Sequence, residues 1–129
     1  MVTPTPTPSE SPTPPVQDPA VYVVGDNASI HKITSDGNAD WIYSNISKRY
    51  VISAVDIDSN SNLYVGSSDG TVRKVDASGT EVWTHTEGSD VVSVAVDEND
   101  NVIIGSFSGS VKKLTPSGGL VWTYNVGSY

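Results

Sequence analysis

Three stretches decide how this chain is read: VYVVGDNASIHKITSDGNADW (21–41), LYVGSSDGTVRKVDASGTEVW (63–83) and VIIGSFSGSVKKLTPSGGLVW (102–122). They superimpose without a gap, and their terminal tryptophans, Trp41, Trp83 and Trp122, lie 42 and then 39 residues apart. Ile30, Val72 and Val111 match within them, as do Lys32, Lys74 and Lys113, and Gly37, Gly79 and Gly118. Between the tryptophans, ISAVDIDSNSN (52–62) and VVSVAVDENDN (91–101) match in turn, and the first spacing carries three extra residues around Ser44 to Tyr50. Several landmarks at one period mark stacked copies of a single supersecondary unit.

Each copy holds four short apolar or alternating runs separated by Gly, Asn, Asp and Ser. ISAVDID and VSVAVD alternate with period two, as half-buried strands do, and end in Asx-rich turns. LYVGS, TVRKVD and EVWTHT follow as the second, third and fourth strands. The SDGN, ASGT and PSGG turns put Gly where a positive φ is expected. No segment carries a 3.6-residue period over a helical length. The reading is therefore all-β, with four antiparallel strands recurring every 40 residues or so as in propeller blades.

Outside the repeats, seven of the eight prolines precede residue 20, in MVTPTPTPSESPTPPVQDP. Residues 1–19 thus read as a Pro/Thr/Ser-rich linker, either a semi-rigid polyproline II spacer or a disordered tail. The repeats run 20–61, 62–100 and 101–129. Of the 15 acidic residues only Glu10 and Asp18 lie in the head, and the net charge of -8 opposes binding to a phosphate backbone. No nucleic-acid partner is expected. With no cysteine there is neither a disulfide nor a thiolate metal site. No apolar run reaches the ~20 residues of a membrane helix.

The segments VRKVDASGTEVW (72–83) and VKKLTPSGGLVW (111–122) resemble the repeat of PQQ-like β-propellers, the superfamily of the quinoprotein alcohol dehydrogenases and of many relatives that bind no cofactor. WD-repeat and NHL propellers are near neighbours. The resemblance implies that Trp41, Trp83 and Trp122 open the outermost strands and pack between blades, with Gly37, Gly79 and Gly118 as structural anchors beside them. It also implies that ISAVDID and VVSVAVD are inner strands, so the first copy begins at its second strand. NVGSY (125–129) lines up with the NISKRY (45–50) that precedes ISAVDID. Eleven strands in three blades are expected, one blade lacking its inner member. Closed rings use ~4 to 8 blades, so three are expected to be part of a larger propeller, as a fragment or as an oligomerising protomer.

Candidate chemistry is sparse. Asp56, Asp58 and Asn60 in DIDSNSN space their oxygens like the start of a calcium loop. Ser61 and Ser67 stand where an EF-hand needs its Gly and its bidentate Glu, so hairpin bonding is expected there instead. Lys32, Lys74 and Lys113, with His31, Arg73 and Lys112, would form a basic track or lay their stems over neighbouring blades. His31 and His85 occupy different blade positions, and no nucleophile–base constellation stands out. Asn27 and Asn45 open glycosylation sequons.

A non-catalytic scaffold or binding platform is expected, in a larger cell-surface or secreted protein, with a protein or further blades as its partner. The resemblance offers an alternative, a fragment of a PQQ-dependent dehydrogenase. That enzyme's cofactor, calcium and acidic residues are held by several blades and long insertions, in many members with a vicinal Cys pair absent here, so PQQ and calcium are not expected. A carbohydrate-binding propeller would need exposed aromatics on a ring face. Tyr50 and Phe107, which break the repeat consensus, are the candidate ligand contacts.

Overall fold

The computed structural model describes residues 20–127, and the Pro-rich linker lies outside them. Eleven strands form among the described residues: β1 (Val21–Val24), β2 (Ile30–Ile33), β3 (Ala39–Tyr43), β4 (Ile52–Ile57), β5 (Leu63–Ser67), β6 (Thr71–Val75), β7 (Glu81–Thr86), β8 (Val91–Val96), β9 (Val102–Ser106), β10 (Ser110–Leu114) and β11 (Leu120–Asn125). They make three antiparallel meanders, β1-β2-β3, β4-β5-β6-β7 and β8-β9-β10-β11, and no helix occurs among the described residues. Among the described residues the first sheet has three strands, the inner one being absent as expected. The units 20–61, 62–100 and 101–129 are offset from the sheets by one strand. β4 ends the first unit in sequence but pairs with β5, because a two-residue-period strand joins the neighbour its turn brings to it.

The core lies between blades, in two slabs. Ala28, Ile30, Tyr43, Ile46, Ile52, Leu63, Val65 and Val75 fill the first joint, and Tyr64, Val72, Val91, Val102, Ile104 and Leu114 fill the second. Alternation explains this division. On β5, Leu63 and Val65 face the first blade while Tyr64 faces the third, so every residue of that strand is buried. Among the described residues β11 has a neighbour on one edge only, and all of its residues are exposed. The three-residue insertion between the first two copies is put to use: Ile46 from it is buried in the first joint.

One irregularity repeats in all three blades. The outer hairpin bulges at Lys32/Ile33, Lys74/Val75 and Lys113/Leu114, leaving Asp40, Val82 and Val121 without a partner. Each bulged residue immediately precedes a Trp. An extra residue in one strand bends it and turns the next side chain, so the bulge aims the indole across the joint.

Candidate functional site: the blade joints and the ring faces

Each internal joint is closed at its outer edge by the same arrangement. Trp41 lies against the β6–β7 turn of the next blade, and its Nε1–H donates to the Ala77 carbonyl at 3.0 Å. Trp83 repeats this on the β10–β11 turn, donating to the Pro116 carbonyl at 3.0 Å. The receiving glycines, Gly79 and Gly118, have φ of +87° and +92°. A Cβ on Gly79 would stand 2.8 Å from the Trp41 ring, and one on Gly118 would stand 3.3 Å from that of Trp83. Glycine is needed there twice over, for its backbone angle and for the close approach of an indole. Tyr22 and Tyr64 tilt against Trp41 and Trp83 at centroid distances of 6.0 and 5.9 Å. Tyr22 and Tyr64 occupy the same position in the first two copies, where the third has Ile103.

Polar ties join the blades nearer the axis. Asp56 accepts the Ile57 amide and, across the joint, the Val96 amide, both at 2.8 Å. Asp58 keeps to its own turn: it accepts the amides of Asn60 and Asn62 at 2.9 Å, and the Asn62 side chain and Tyr64 hydroxyl at 3.0 Å. Asn60 is exposed at the tip. Asp97 makes the matching turn with Asn99 and Asn101 and pairs with Lys113 at 3.0 Å. The carboxylates of Asp58 and Asp97 thus serve their own hairpins, while Asp56 and Asp100 accept from the neighbouring blade. Among the described residues no three His, Asp or Glu side chains gather as a metal would require.

Those bonds leave their mark on acidity. Burial alone would raise the Asp58 carboxyl, but the donors from Asn62, Asn60 and Tyr64 outweigh it and hold it below the ordinary range. Desolvation likewise works against Asp97, yet the Lys113 ammonium and the turn amides bring it down to about 2. The Tyr64 hydroxyl moves the other way, raised by burial and by the Asp58 carboxylate it donates to.

The lysine column does not act as one track. Lys74 reaches over the joint to the Pro116 carbonyl at 2.8 Å, sharing that acceptor with Trp83. Lys32 turns instead to Asp40 at 3.2 Å, and Lys113 to Asp97. Arg73 pairs with Asp69 and Glu81, and the Tyr43 hydroxyl of the first blade donates to the same Glu81. Glu87 gathers His85 of its own blade at 2.6 Å and Lys112 of the third at 2.8 Å. Its environment would raise the carboxyl by burial, but these two donors hold it down. Glu87 and Glu81 carried no repeat signal and were not expected.

The two aromatic candidates part company. Tyr50 packs on the first core slab, with the Arg49 guanidinium 4.8 Å from its ring centroid. Phe107 is 69% exposed on the β9–β10 turn, beside a shallow depression of about 350 Å³ lined by Val92, Ser106, Gly109 and Val126. Aligned residues of the second blade are Ser68, Ser53 and Glu87, so Phe107, Val92 and Val126 all replace polar side chains with apolar ones.

The fold has solved counterparts. BamB from Moraxella catarrhalis matches with a TM-score of 0.73 at 22% identity, over 88% of this chain and 34% of that one. A protein of unknown function from Bacteroides caccae matches with a TM-score of 0.59 at 14% identity, over 84% of this chain and 42% of that one. The chain therefore spans about a third of the first structure and less than half of the second. No curated protein matches it. A family model described as outer membrane protein assembly factor BamB matches residues 3–129, running over the Pro-rich head as well as the blades. With three stacked meanders, Trp-closed joints and that match over nearly its whole length, the chain belongs to this BamB family of PQQ-like β-propellers, as a three-blade partial propeller.

Proposed function

We propose that the chain is a non-catalytic propeller segment that binds protein through the ring face bearing Phe107, in a larger cell-surface or secreted protein. The family's description as an assembly factor supports a protein partner. The observation that carries the reading is the apolar cluster of Phe107, Val92 and Val126, exposed by 69%, 50% and 61% where the second blade is polar. Exposed apolar clusters of this kind mark contact surfaces, and an aromatic at their centre supplies the anchor. A scaffold role is supported by the carboxylates, since the acidic turns spend their oxygens on their own amides and on lysines. In this reading the segment takes neither PQQ nor calcium, and the Pro/Thr/Ser-rich head serves as its spacer.

The test is photo-crosslinking in the full-length parent protein within its own cells, with the reactive side chain at position 107 or, as control, at position 68. Adducts to one defined protein from position 107, and none from 68, are expected. Equal labelling from both positions, or glycan adducts alone, would replace the protein-binding reading.

A further inference from the structure

The insertion between the first two copies ends in a tight turn, Ser47–Tyr50, where the Tyr50 amide donates to the Ser47 carbonyl at 3.0 Å. Ile46 before it and Tyr50 at its close both pack on the first core slab, so the turn stands on a fixed base. Lys48 and Arg49 are exposed at its tip. The chain has seven basic residues, and the other five are engaged: Lys32, Arg73, Lys112 and Lys113 pair with carboxylates, and Lys74 donates to the Pro116 carbonyl. Among the described residues Lys48 has no ion pair. Arg49 engages Tyr50 alone: its Nη2 donates to the hydroxyl at 2.9 Å, and the guanidinium lies 4.8 Å from the ring centroid. The matching connection into the third blade, Glu87 to Asp90, carries two carboxylates and no cation. Two adjacent cations are therefore held out in water on an acidic protein, at a place where the repeat does not call for them.

We infer that the Lys48–Arg49 turn docks a short acidic segment of a partner protein, Arg49 taking a carboxylate on its free N–H groups and Lys48 adding a second charge. The Tyr50 contacts hold the guanidinium in place beforehand, which lowers the cost of ordering it on binding. A planar guanidinium matches a carboxylate with paired N–H donors. The net charge of -8 repels an extended polyanion such as a phosphate backbone or an anionic lipid surface, whereas two neighbouring cations attract over roughly 10 Å, the reach of a local contact. The turn also lies where Phe107 does. It runs into Val51, whose amide donates to the Ser68 Oγ at 2.8 Å and whose carbonyl accepts the Ser68 amide at 2.9 Å. Phe107, the counterpart of Ser68, donates its amide to Asp90, the counterpart of Val51. The basic turn and Phe107 thus share one ring face, one blade apart. This inference rests on the reading above for the partner's being a protein and names the chemistry of the segment that meets the second blade.

Fluorescence anisotropy of a labelled polyglutamate peptide, titrated with the full-length parent protein at low ionic strength, tests this. Saturable binding that weakens with salt is expected, and Lys48→Gln together with Arg49→Gln should weaken it by about tenfold or more. Asn38→Asp together with Asn99→Asp makes the chain more negative by the same two charges, at exposed turns of the opposite ring face, and should leave binding within about twofold. Circular dichroism verifies that both variants keep their sheet content. Equal loss in the two double variants would reduce the effect to net charge and overturn the docking site. Binding to vesicles of phosphatidylglycerol in place of the peptide, lost with Lys48 and Arg49, would overturn the acidic protein in favour of a lipid surface. A peptide that does not bind would overturn the inference and leave crosslinking from position 107 to be judged separately.

Discussion

Asp56 and Val96 link the inner strands of neighbouring blades: one carboxylate oxygen of Asp56 accepts the Val96 amide at 2.8 Å across 40 residues of sequence. Its other oxygen holds the Ile57 amide, so the side chain is fixed on its own strand before it reaches the next. Ser59 and Asp100 add a second tie between the adjoining hairpin tips. The joint between the second and third blades is therefore polar at its inner edge, apolar in its middle and aromatic at its outer edge. Bonds from backbone amides to a carboxylate set geometry more sharply than apolar burial does, because they fail beyond a few tenths of an ångström.

Removing this tie is expected to cost stability without changing the strand pattern. Asp56→Ala leaves the half-buried Val96 amide without its acceptor and should lower the unfolding free energy by about 1 to 3 kcal/mol. Asp56→Asn, which keeps an oxygen, should lose less. Urea unfolding of the two variants measures the difference, and an Asp56→Ala chain as stable as the wild type would mean that the bond contributes nothing to the joint.

Acid should weaken the fold through its carboxylates. Glu87, Asp58 and Asp97 all have folded pKa values below their ordinary ones, so the folded chain binds fewer protons than the unfolded chain does. Their contribution is present in full above the unfolded values of about 4 and is lost as pH falls through the folded ones. The urea midpoint should hold steady from neutral pH to about 5 and then decline toward pH 2. Glu87→Gln removes one titrating group and should shallow that decline. A midpoint unaffected by acid would contradict the arrangement around Glu87.

Most of the blade architecture was legible because Trp, Gly and Lys recur at one period, and a recurring unit needs the same contact at each repeat. The hairpin chemistry of Asp58 and Asp97 was legible for a local reason, since each bonds amides two and four residues on. The polar ties across the joints were not. Asp56 aligns with Ala95, and Glu81 with Leu120, so neither tie repeats and neither leaves a periodic trace. The bulges at Asp40, Val82 and Val121 were hidden because an unpaired residue shows only when two strands are laid side by side. Tyr50 and Phe107 were both visible as departures from the repeat, but sequence could not say which one the inserted Ser44–Tyr50 stretch would fold against the core.

The Trp–turn contact can be separated from the backbone strain that accompanies it. Gly79, Gly118 and Gly88 have similar φ, at +87°, +92° and +78°, but a Cβ would meet an indole at 2.8 Å, an indole at 3.3 Å and nothing within 4 Å respectively. Gly88→Ala should therefore cost about 1 kcal/mol, the left-handed backbone alone. Gly118→Ala adds slight crowding, and Gly79→Ala displaces Trp41 and should cost about 2 to 4 kcal/mol. Thermal or urea unfolding ranks the three. If Gly79→Ala is no worse than Gly88→Ala, the joint is looser than its geometry states.

Tyr50 and Phe107 should answer the same substitution in opposite ways. Tyr50 packs on the first core slab, and its hydroxyl accepts from Arg49 at 2.9 Å, so Tyr50→Ser opens a gap in the joint. A loss of about 1 to 3 kcal/mol is expected for a half-buried aromatic. Phe107 has its ring in water, and Phe107→Ser installs the residue that the second blade carries at Ser68. Stability should then change by no more than about 0.5 kcal/mol. Protein binding by the parent should fall in this variant while its unfolding midpoint stays in place, because an exposed anchor contributes to the complex and not to the fold. Urea unfolding beside a binding measurement separates the two effects, and a Phe107→Ser variant that unfolds early would move Phe107 from the contact surface into the core.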